Sequence, residues 1–229
     1  MLAFLNDPAV KAKYLERLKL HAAADAIVKG QYWADGKGCA VGCTIHGSDH
    51  ARYETELGIP EELARLEDDL FEAMPNADAQ TWPARFLSAI PVGADLSGVL
   101  KAFLAWMVRD VAGEAVDDAE RAIVEQMATL MERSLRGDEP TAQEWEAAEE
   151  AAWAARAAWA ARDAWAARDA WAAWDARAAW AARAARAARD AWAAWDARAA
   201  RAAWAAARAV MQADKLLELL ASAPVGVIA

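Results

Sequence analysis

Between residues 153 and 204, every third position holds Trp or Arg, and Ala fills nearly all the others. This repeat contains nine Trp, nine Arg, five Asp and 29 Ala, and no Gly or Pro occurs from Thr141 to Ala223. Ala has the highest helix propensity of all residues, and Arg follows it closely. The composition therefore predicts that the repeat is α-helical.

Both ends of this helical region carry sequence signals. Thr141 and Glu144 have the spacing of a capping box, in which each side chain satisfies a backbone N–H at the start of a helix. Pro224 and Gly226 cannot continue a helix at the other end. We therefore predict helical structure from Thr141 to about Ser222, packed chiefly through Ala.

The three-residue period decides how such helices can pack. A step of three residues advances about 300° around a helix, so each bulky side chain falls about 60° behind the previous one. Trp153, Trp159 and Trp165 consequently point to different sides, and no single face is apolar. Two arrangements remain, a set of folded-back helices or a single rod of about 80 residues that oligomerises. We favour folded-back helices, because many exposed Trp on a lone rod would create a large apolar surface.

Three functions fit the repeat: a low-complexity scaffold, a surface for a protein partner or self-association, and an Arg/Trp surface for nucleic-acid bases. Nine Arg against five Asp make the repeat only weakly basic, which argues against nucleic acid. The Arg residues also interrupt any apolar span long enough for a membrane. The Trp residues assigned to the partner surface are Trp159, Trp165, Trp171, Trp174, Trp180, Trp192 and Trp195.

The rest of the chain is acidic. Of the 229 residues, the first 140 contain 14 Lys and Arg against 24 Asp and Glu, a pattern that argues against a nucleic-acid partner. The N-terminal residues lack the basic and apolar regions of a signal peptide. Two Cys do not form a disulfide scaffold, so we expect a cytoplasmic protein.

The N-terminal sequence predicts helices separated by Gly and Pro. The first begins at Asp7 and Pro8, an N-cap followed by a favoured first residue, and should end at Gly30. Further helices are predicted at 48–57, 60–74, 83–89, 96–112 and 115–135. Because no segment alternates like a strand, the predicted class is all-α. The expected parts are a compact acidic helical domain at 1–137, repeat helices at 141–222 and a tail at 223–229.

The predicted loop at residues 30–50 concentrates unusual residues. It holds five of the eleven Gly, both Cys and two of the three His. Gly36, Gly38, Gly42 and Gly47 would allow positive φ angles and a close approach to a ligand. A loop of this composition between helices is a candidate functional site.

The thiols and imidazoles of this loop suggest two chemistries. Cys39, Cys43, His46 and His50 have the spacing C-x3-C-x2-H-x3-H, and thiolates with imidazoles are typical zinc ligands. Alternatively, Cys39 or Cys43 could be a nucleophile, with His46 or His50 as its base and Asp49 orienting that base.

Two further interpretations of the loop involve its glycines. Gly36, Lys37, Gly38 and Gly42 could form a backbone nest for an anion, although the pattern matches no established phosphate-binding motif. The remaining interpretation is a tight buried loop in which both Cys pack as small apolar residues.

Three stretches resemble a family of uncharacterised bacterial and phage proteins: Gly36 to Gly47 (GKGCAVGCTIHG), Glu56 to Pro60 (ELGIP) and Ile90 to Leu96 (IPVGADL). The resemblance covers roughly residues 1–110. It implies no established activity and no catalytic residue. The repeat also resembles, in composition, the Ala-Ala-x repeats of Imm-5-like putative immunity proteins.

Together these patterns predict a non-enzymatic cytoplasmic interaction or scaffold protein without a cofactor. Its Trp/Arg repeat would mediate helix packing, self-assembly or binding of a protein partner. The alternative is a zinc protein or a Cys-dependent enzyme centred on Cys39, Cys43, His46 and His50.

Overall fold

The structure is a computed structural model that describes residues 1–112, 118–151, 154 and 205–226. These residues are mostly helical, with one two-stranded hairpin among them, so the predicted all-α class is confirmed. Almost the whole repeat lies outside the described residues. Its folded-back arrangement therefore stays a prediction, as does the surface formed by Trp159, Trp165, Trp171, Trp174, Trp180, Trp192 and Trp195.

The chain forms two compact units. The first comprises Met1–Leu104 together with Ala203–Ala229, and the second comprises Ala105–Ala202. This division differs from the sequence-based boundaries at 137 and 141. It differs because a helix at 205–221 belongs to the same compact unit as the N-terminal residues.

The first unit begins with a short 3-10 turn at Ala3–Asn6. Its helices and strands are α1 (Pro8–Ala23), β1 (Trp33–Ala34), β2 (Lys37–Gly38), α2 (Ala40–Ile45), α3 (Arg52–Leu57), α4 (Glu61–Ala73), α5 (Asn76–Ala79), α6 (Trp82–Ala89), the start of α7 (Val99–Ala112) and α10 (residues 205–221). The second unit contains the end of α7, then α8 (Asp118–Leu135) and α9, which is described over residues 142–151.

The predicted start of α1 is confirmed, but its predicted end is wrong. The Asp7 carboxylate accepts a hydrogen bond from the backbone N–H of Ala9 at 2.8 Å, and Pro8 is the first helical residue. The helix ends at Ala23 rather than continuing to Gly30. It stops there because the next residues pair with Gly38: the Gly38 N–H donates to Ala26 at 3.0 Å, and the Gly38 carbonyl accepts from Val28 at 2.8 Å.

Residues 30–50 are more structured than expected. Antiparallel strands β1 and β2 pair with Trp33 opposite Gly38, and the intervening Asp35 and Gly36 both have positive φ. Asp-Gly is a favoured pair for such a two-residue hairpin turn, so a turn at Asp35 and Gly36 was predictable from the sequence. The helix predicted from residue 48 begins only at Arg52, and α2 occupies part of the predicted loop.

A core of aromatic and aliphatic side chains fills the first unit. Helices α1, α3, α4, α6 and α7 each contribute at least one fully buried aromatic residue. These residues are Tyr14, Tyr53, Phe71, Trp82, Phe86 and Phe103. Buried aliphatic side chains such as Leu18, Ile59 and Leu63 pack in the same core.

Helix α10 and the residues after it also belong to this core. Leu216 and Leu220 are fully buried. The Asp95 N–H donates to the carbonyl of Pro224 at 2.8 Å, and the Gly226 N–H donates to the carbonyl of Gly93 at 3.0 Å. The C-terminal segment is thus paired by backbone hydrogen bonds with the connection between α6 and α7.

In the second unit, the predicted capping box is confirmed. The Glu144 carboxylate accepts from the Thr141 N–H at 2.8 Å, and the Thr141 hydroxyl accepts from the Glu144 N–H at 3.2 Å. Arg133 of α8 also donates to Glu144, at 2.5 Å. These interactions lower the pKa of Glu144 to about 2, with the Arg133 hydrogen bond as the largest cause. A charged Glu144 therefore stabilises the start of α9.

Candidate functional site

Both thiols lie inside the first unit. Cys39 caps the N-terminus of α2, where its sulfur accepts a hydrogen bond from the Gly42 N–H at 3.4 Å. Cys43, one turn later, donates to the carbonyl of Gly38 at 3.2 Å. Burial raises the pKa of Cys43 to about 11, and burial with the nearby Asp68 carboxylate raises the pKa of Cys39 further. At neutral pH both residues are therefore neutral thiols, whereas nucleophiles and metal ligands are thiolates.

His46 turns away from the thiols. It ends α2 in a left-handed conformation (φ 53°), and its Nε2 lies 2.8 Å from Nε2 of His21 on α1. Its ring stacks on Trp33 at a centroid distance of 4.4 Å. Desolvation, and next the charge of Arg17, lower the pKa of both His46 and His21. This favours two neutral imidazoles, one of which donates its Nε2–H to the Nε2 of the other.

His50 and Asp49 have partners of their own, different from those of His46. His50 is buried, with its Nε2 3.7 Å from Oδ2 of Asp68 and its ring edge-on to Tyr32. The Asp49 carboxylate accepts from the Ala51 N–H at 3.2 Å, just before α3, and so does not orient a histidine.

The predicted zinc ligands are therefore not brought together as a set of four. Within the residues that the structure describes, no three His, Cys, Asp or Glu side chains are arranged to hold a metal ion. The physical reason is helix α2, which was not predicted. It directs the side chains of Cys39 and Cys43 into the core, while His46 lies beyond its C-terminal end.

The glycines of the loop serve the packing of α2. Gly36 forms the hairpin turn, and Lys37 is exposed in β2. Gly38 and Gly42 are buried, and a Cβ atom on either would overlap the carbonyl oxygen of Tyr32. The close approach that these glycines permit is therefore between two backbone segments of the same domain.

The described part of the first unit contains a pocket of about 230 Å³ beside these residues. One wall is the segment before β1, another is the N-cap of α2, and the third is one face of α4. The lining residues are Gly30, Gln31, Tyr32, Cys39, Asp68 and Glu72. Cys39 was predicted from the sequence as a site residue, but Asp68 and Glu72 were not, because acidic residues four apart on a helix also occur on ordinary solvated faces.

The two acids of the pocket differ in their partners. Glu72 accepts a hydrogen bond from the Gly30 N–H at 2.9 Å. Asp68 is only 8 % exposed, and its Oδ1 is buried without a hydrogen-bond partner. Leaving a buried acceptor unpaired typically costs about 1–3 kcal/mol, and more when the group is charged. The Cys39 thiol and the His50 ring lie beside the same carboxylate.

The neighbouring Glu67 faces the core instead. It is completely buried, and its Oε2 accepts from the Tyr53 hydroxyl at 2.8 Å. Its backbone carbonyl accepts from the Trp82 indole N–H at 2.9 Å. Desolvation raises the pKa of Glu67 well above its ordinary value, so this residue is a neutral acid that links α3 and α4.

Comparison with protein-family models, with curated proteins and with solved structures finds no match to this chain. Among the described helices, none combines the length and the apolar character that crossing a bilayer requires.

Proposed function

We propose that this chain is a non-enzymatic interaction protein whose Trp/Arg repeat binds further copies of itself or a protein partner. The proposal rests on the two helices that precede and follow the repeat along the chain. Helix α9 leads into the repeat, and α10, which follows it, packs into the core of the first unit. Described helices therefore flank the repeat on both sides along the sequence.

The composition of the repeat suits contact with proteins. Trp and Arg are enriched among the residues that dominate binding energy at protein interfaces. On a helix, a strict three-residue period would distribute Trp around the axis, so one neighbouring helix would not cover all of them. Additional copies or a partner would bury the Trp side chains that remain.

The alternative function at the Cys and His residues has less support. A nucleophilic or zinc-binding Cys requires a thiolate, whereas burial raises the pKa of both thiols. The two buried cysteines are also free rather than disulfide-bonded, which fits the reducing cytoplasm in which we place the protein.

Light scattering on the full chain tests the proposal. A self-associating protein has a mass above the 24.7 kDa of one chain, and that mass falls on dilution. Trp171→Ala with Trp174→Ala should weaken assembly tenfold or more, because buried Trp side chains contribute most at interfaces. The matched pair Arg168→Ala with Arg177→Ala should change it less than about threefold.

Two results would contradict this function. One is a monomer at every concentration that also captures no protein partner. The other is binding of single-stranded nucleic acid that the Arg changes weaken more than the Trp changes do, since phosphate contacts depend on Arg.

A further inference from the structure

Two histidines of the first unit face each other through their ring nitrogens. His21 lies in the last turn of α1, and His46 ends α2. Their Nε2 atoms are 2.8 Å apart at the surface of the protein. His46 is exposed and His21 is half-buried, so small ions in solution can approach both rings. The sequence analysis grouped His46 with the cysteines and did not consider His21 as its neighbour.

The separation of these nitrogens suits a shared metal ion. Imidazole nitrogens bind zinc and similar ions at about 2.0–2.1 Å. For bond angles between those of square-planar and tetrahedral sites, two such nitrogens on one ion lie about 2.8–3.4 Å apart. The observed 2.8 Å falls at the short end of that range, and the ring centroids are 5.0 Å apart. A small rotation of either side chain would therefore direct both lone pairs at one ion.

The indole of Trp33 in β1 holds both rings in place. The His46 ring stacks on this indole at a centroid distance of 4.4 Å, and the His21 ring meets it in a T-shaped contact at 5.3 Å. Side chains that are already held in position lose less conformational freedom when a ligand binds. Trp33 therefore preorganises the pair.

The charges around the pair act in both directions. Burial, and next the charge of Arg17, lower the pKa of both histidines, so neutral imidazoles are present at neutral pH. The last turn of α1 also favours a cation, because the backbone carbonyls at a helix C-terminus carry partial negative charge. Arg17 and Arg52 oppose a bound cation, although Arg52 is paired with Glu56. These opposing charges favour a reversibly bound ion over a permanent one.

We propose that His21 and His46 form a surface site for a divalent transition-metal ion that prefers imidazole, such as Ni²⁺, Cu²⁺ or Zn²⁺. In the metal-bound form each ring carries its proton on Nδ1, and both Nε2 lone pairs bind the ion. Water occupies the remaining coordination positions, and the ion links the end of α1 to the end of α2. The site uses neither the cysteines nor the Trp/Arg repeat, so either proposal can fail without the other.

Calorimetry on the untagged full chain at neutral pH tests the assignment. The probe is Ni²⁺, which prefers imidazole and does not oxidise the two thiols. The control ion is Mg²⁺, which prefers oxygen ligands and would report attraction to the acidic surface. One Ni²⁺ ion should bind per chain, at least tenfold more tightly than Mg²⁺.

Three histidine variants locate the site. His46→Asn and His21→Gln should each weaken Ni²⁺ binding tenfold or more, because each removes one of the two ligands. Asn tolerates the left-handed conformation at position 46, and Gln keeps a good helix former at position 21. His50→Asn removes the third histidine of the chain, which lies beside Asp68 instead, and should change binding less than twofold.

Several outcomes would overturn the proposal. Equal binding of Mg²⁺ would indicate general attraction to acidic groups, and equal losses in all three variants would indicate an effect that is not specific to the pair. Absence of saturable Ni²⁺ binding up to about 1 mM would leave the two rings joined by a hydrogen bond alone. If one of the two ligand variants fails to fold, the other still decides, because either loss removes half of the site.

Discussion

At the scale of single residues, burial controls the chemistry of the first unit. Cys39, Cys43 and Glu67 are all ionisable, and desolvation raises the pKa of each. Moving a charged group out of water costs free energy. Each of these buried side chains therefore stays neutral at pH values at which the same side chain would ionise in solvent. Burial therefore favours the protonated form of Cys39 and Cys43, the two residues that the sequence suggested as nucleophiles or zinc ligands.

The thiols offer a direct test of this conclusion. In the folded protein at pH 7, Cys39 and Cys43 should both resist alkylation and should react together on unfolding, because each is buried and protonated. Labelling rates read by mass spectrometry, with and without denaturant, provide the measurement. Fast labelling of one Cys in the folded state would show an activated thiol and revive the catalytic alternative.

Glu67 should make stability depend on pH in a defined direction. Its pKa in the folded protein lies well above the ordinary value of 4.5, so the unfolded chain loses its proton first as pH rises. The contribution of Glu67 to the free energy of unfolding is therefore full below about pH 4.5. Above that pH it decreases, by up to about 1.4 kcal/mol per pH unit, until the pH reaches the folded-state pKa. Glu67→Gln keeps an acceptor for Tyr53 but cannot ionise. Urea unfolding should show it more stable than the original protein at pH 7, with little difference at pH 4.

The exposed Glu125 on α8 provides the control for this titration. Glu125→Gln makes the same substitution at an exposed position and so measures the effect of removing one surface charge. If Glu67→Gln had no more effect on the pH dependence of unfolding than Glu125→Gln, Glu67 would be ionised in the folded protein, which contradicts its assignment as a neutral acid.

At the scale of elements, close backbone packing explains the short helix α2. Gly42 lies inside this helix, where Gly is normally destabilising relative to Ala by up to about 1 kcal/mol. Here a Cβ would overlap the Tyr32 carbonyl. The close packing of α2 against the chain before β1 therefore requires Gly at this position despite its low helix propensity. The same packing places Cys39 at the pocket.

Gly42→Ala should therefore destabilise the protein by about 1–3 kcal/mol or more, as overpacking of a core does. Gly98 is the matched control, because a Cβ there meets no atom within 4 Å and its φ is not positive. Gly98→Ala should lower stability far less than Gly42→Ala does, since the added methyl group overlaps no other atom. Thermal melting compares the two variants. An unchanged melting temperature for Gly42→Ala would refute the close contact with Tyr32.

At the scale of the whole molecule, the first unit is assembled from both ends of the sequence. Helix α10 returns after the repeat, and its buried Leu216 and Leu220 join side chains from the first 104 residues in one unit. The stability of the N-terminal domain therefore depends on residues that follow the repeat.

Two substitutions on α10 test this dependence. Leu216→Ala should destabilise the protein by about 2–5 kcal/mol, as expected for a fully buried Leu. Met211→Ala on the same helix should change stability by less than about 0.5 kcal/mol, because Met211 is 41 % exposed. Unfolding should be followed by a probe in the first unit, such as protection of the Cys39 thiol. Equal and small effects would mean that α10 does not belong to that core.

The sequence by itself determined the helical class and several helix ends. Asp7 with Pro8 starts α1, Thr141 with Glu144 starts α9, and Gly137 with φ 81° follows α8. These features were predictable because a cap acts on backbone groups within three or four residues of itself.

Only the tertiary structure decided how the candidate site is formed. His46 meets His21 across 25 positions, Asp68 reaches the pocket from α4, and α10 returns across the whole repeat. Each of these contacts joins residues far apart in the chain and depends on side-chain volume and burial. Spacing along the sequence carries no information about such contacts, because a short spacing such as that from Cys43 to His46 does not show which way each side chain points.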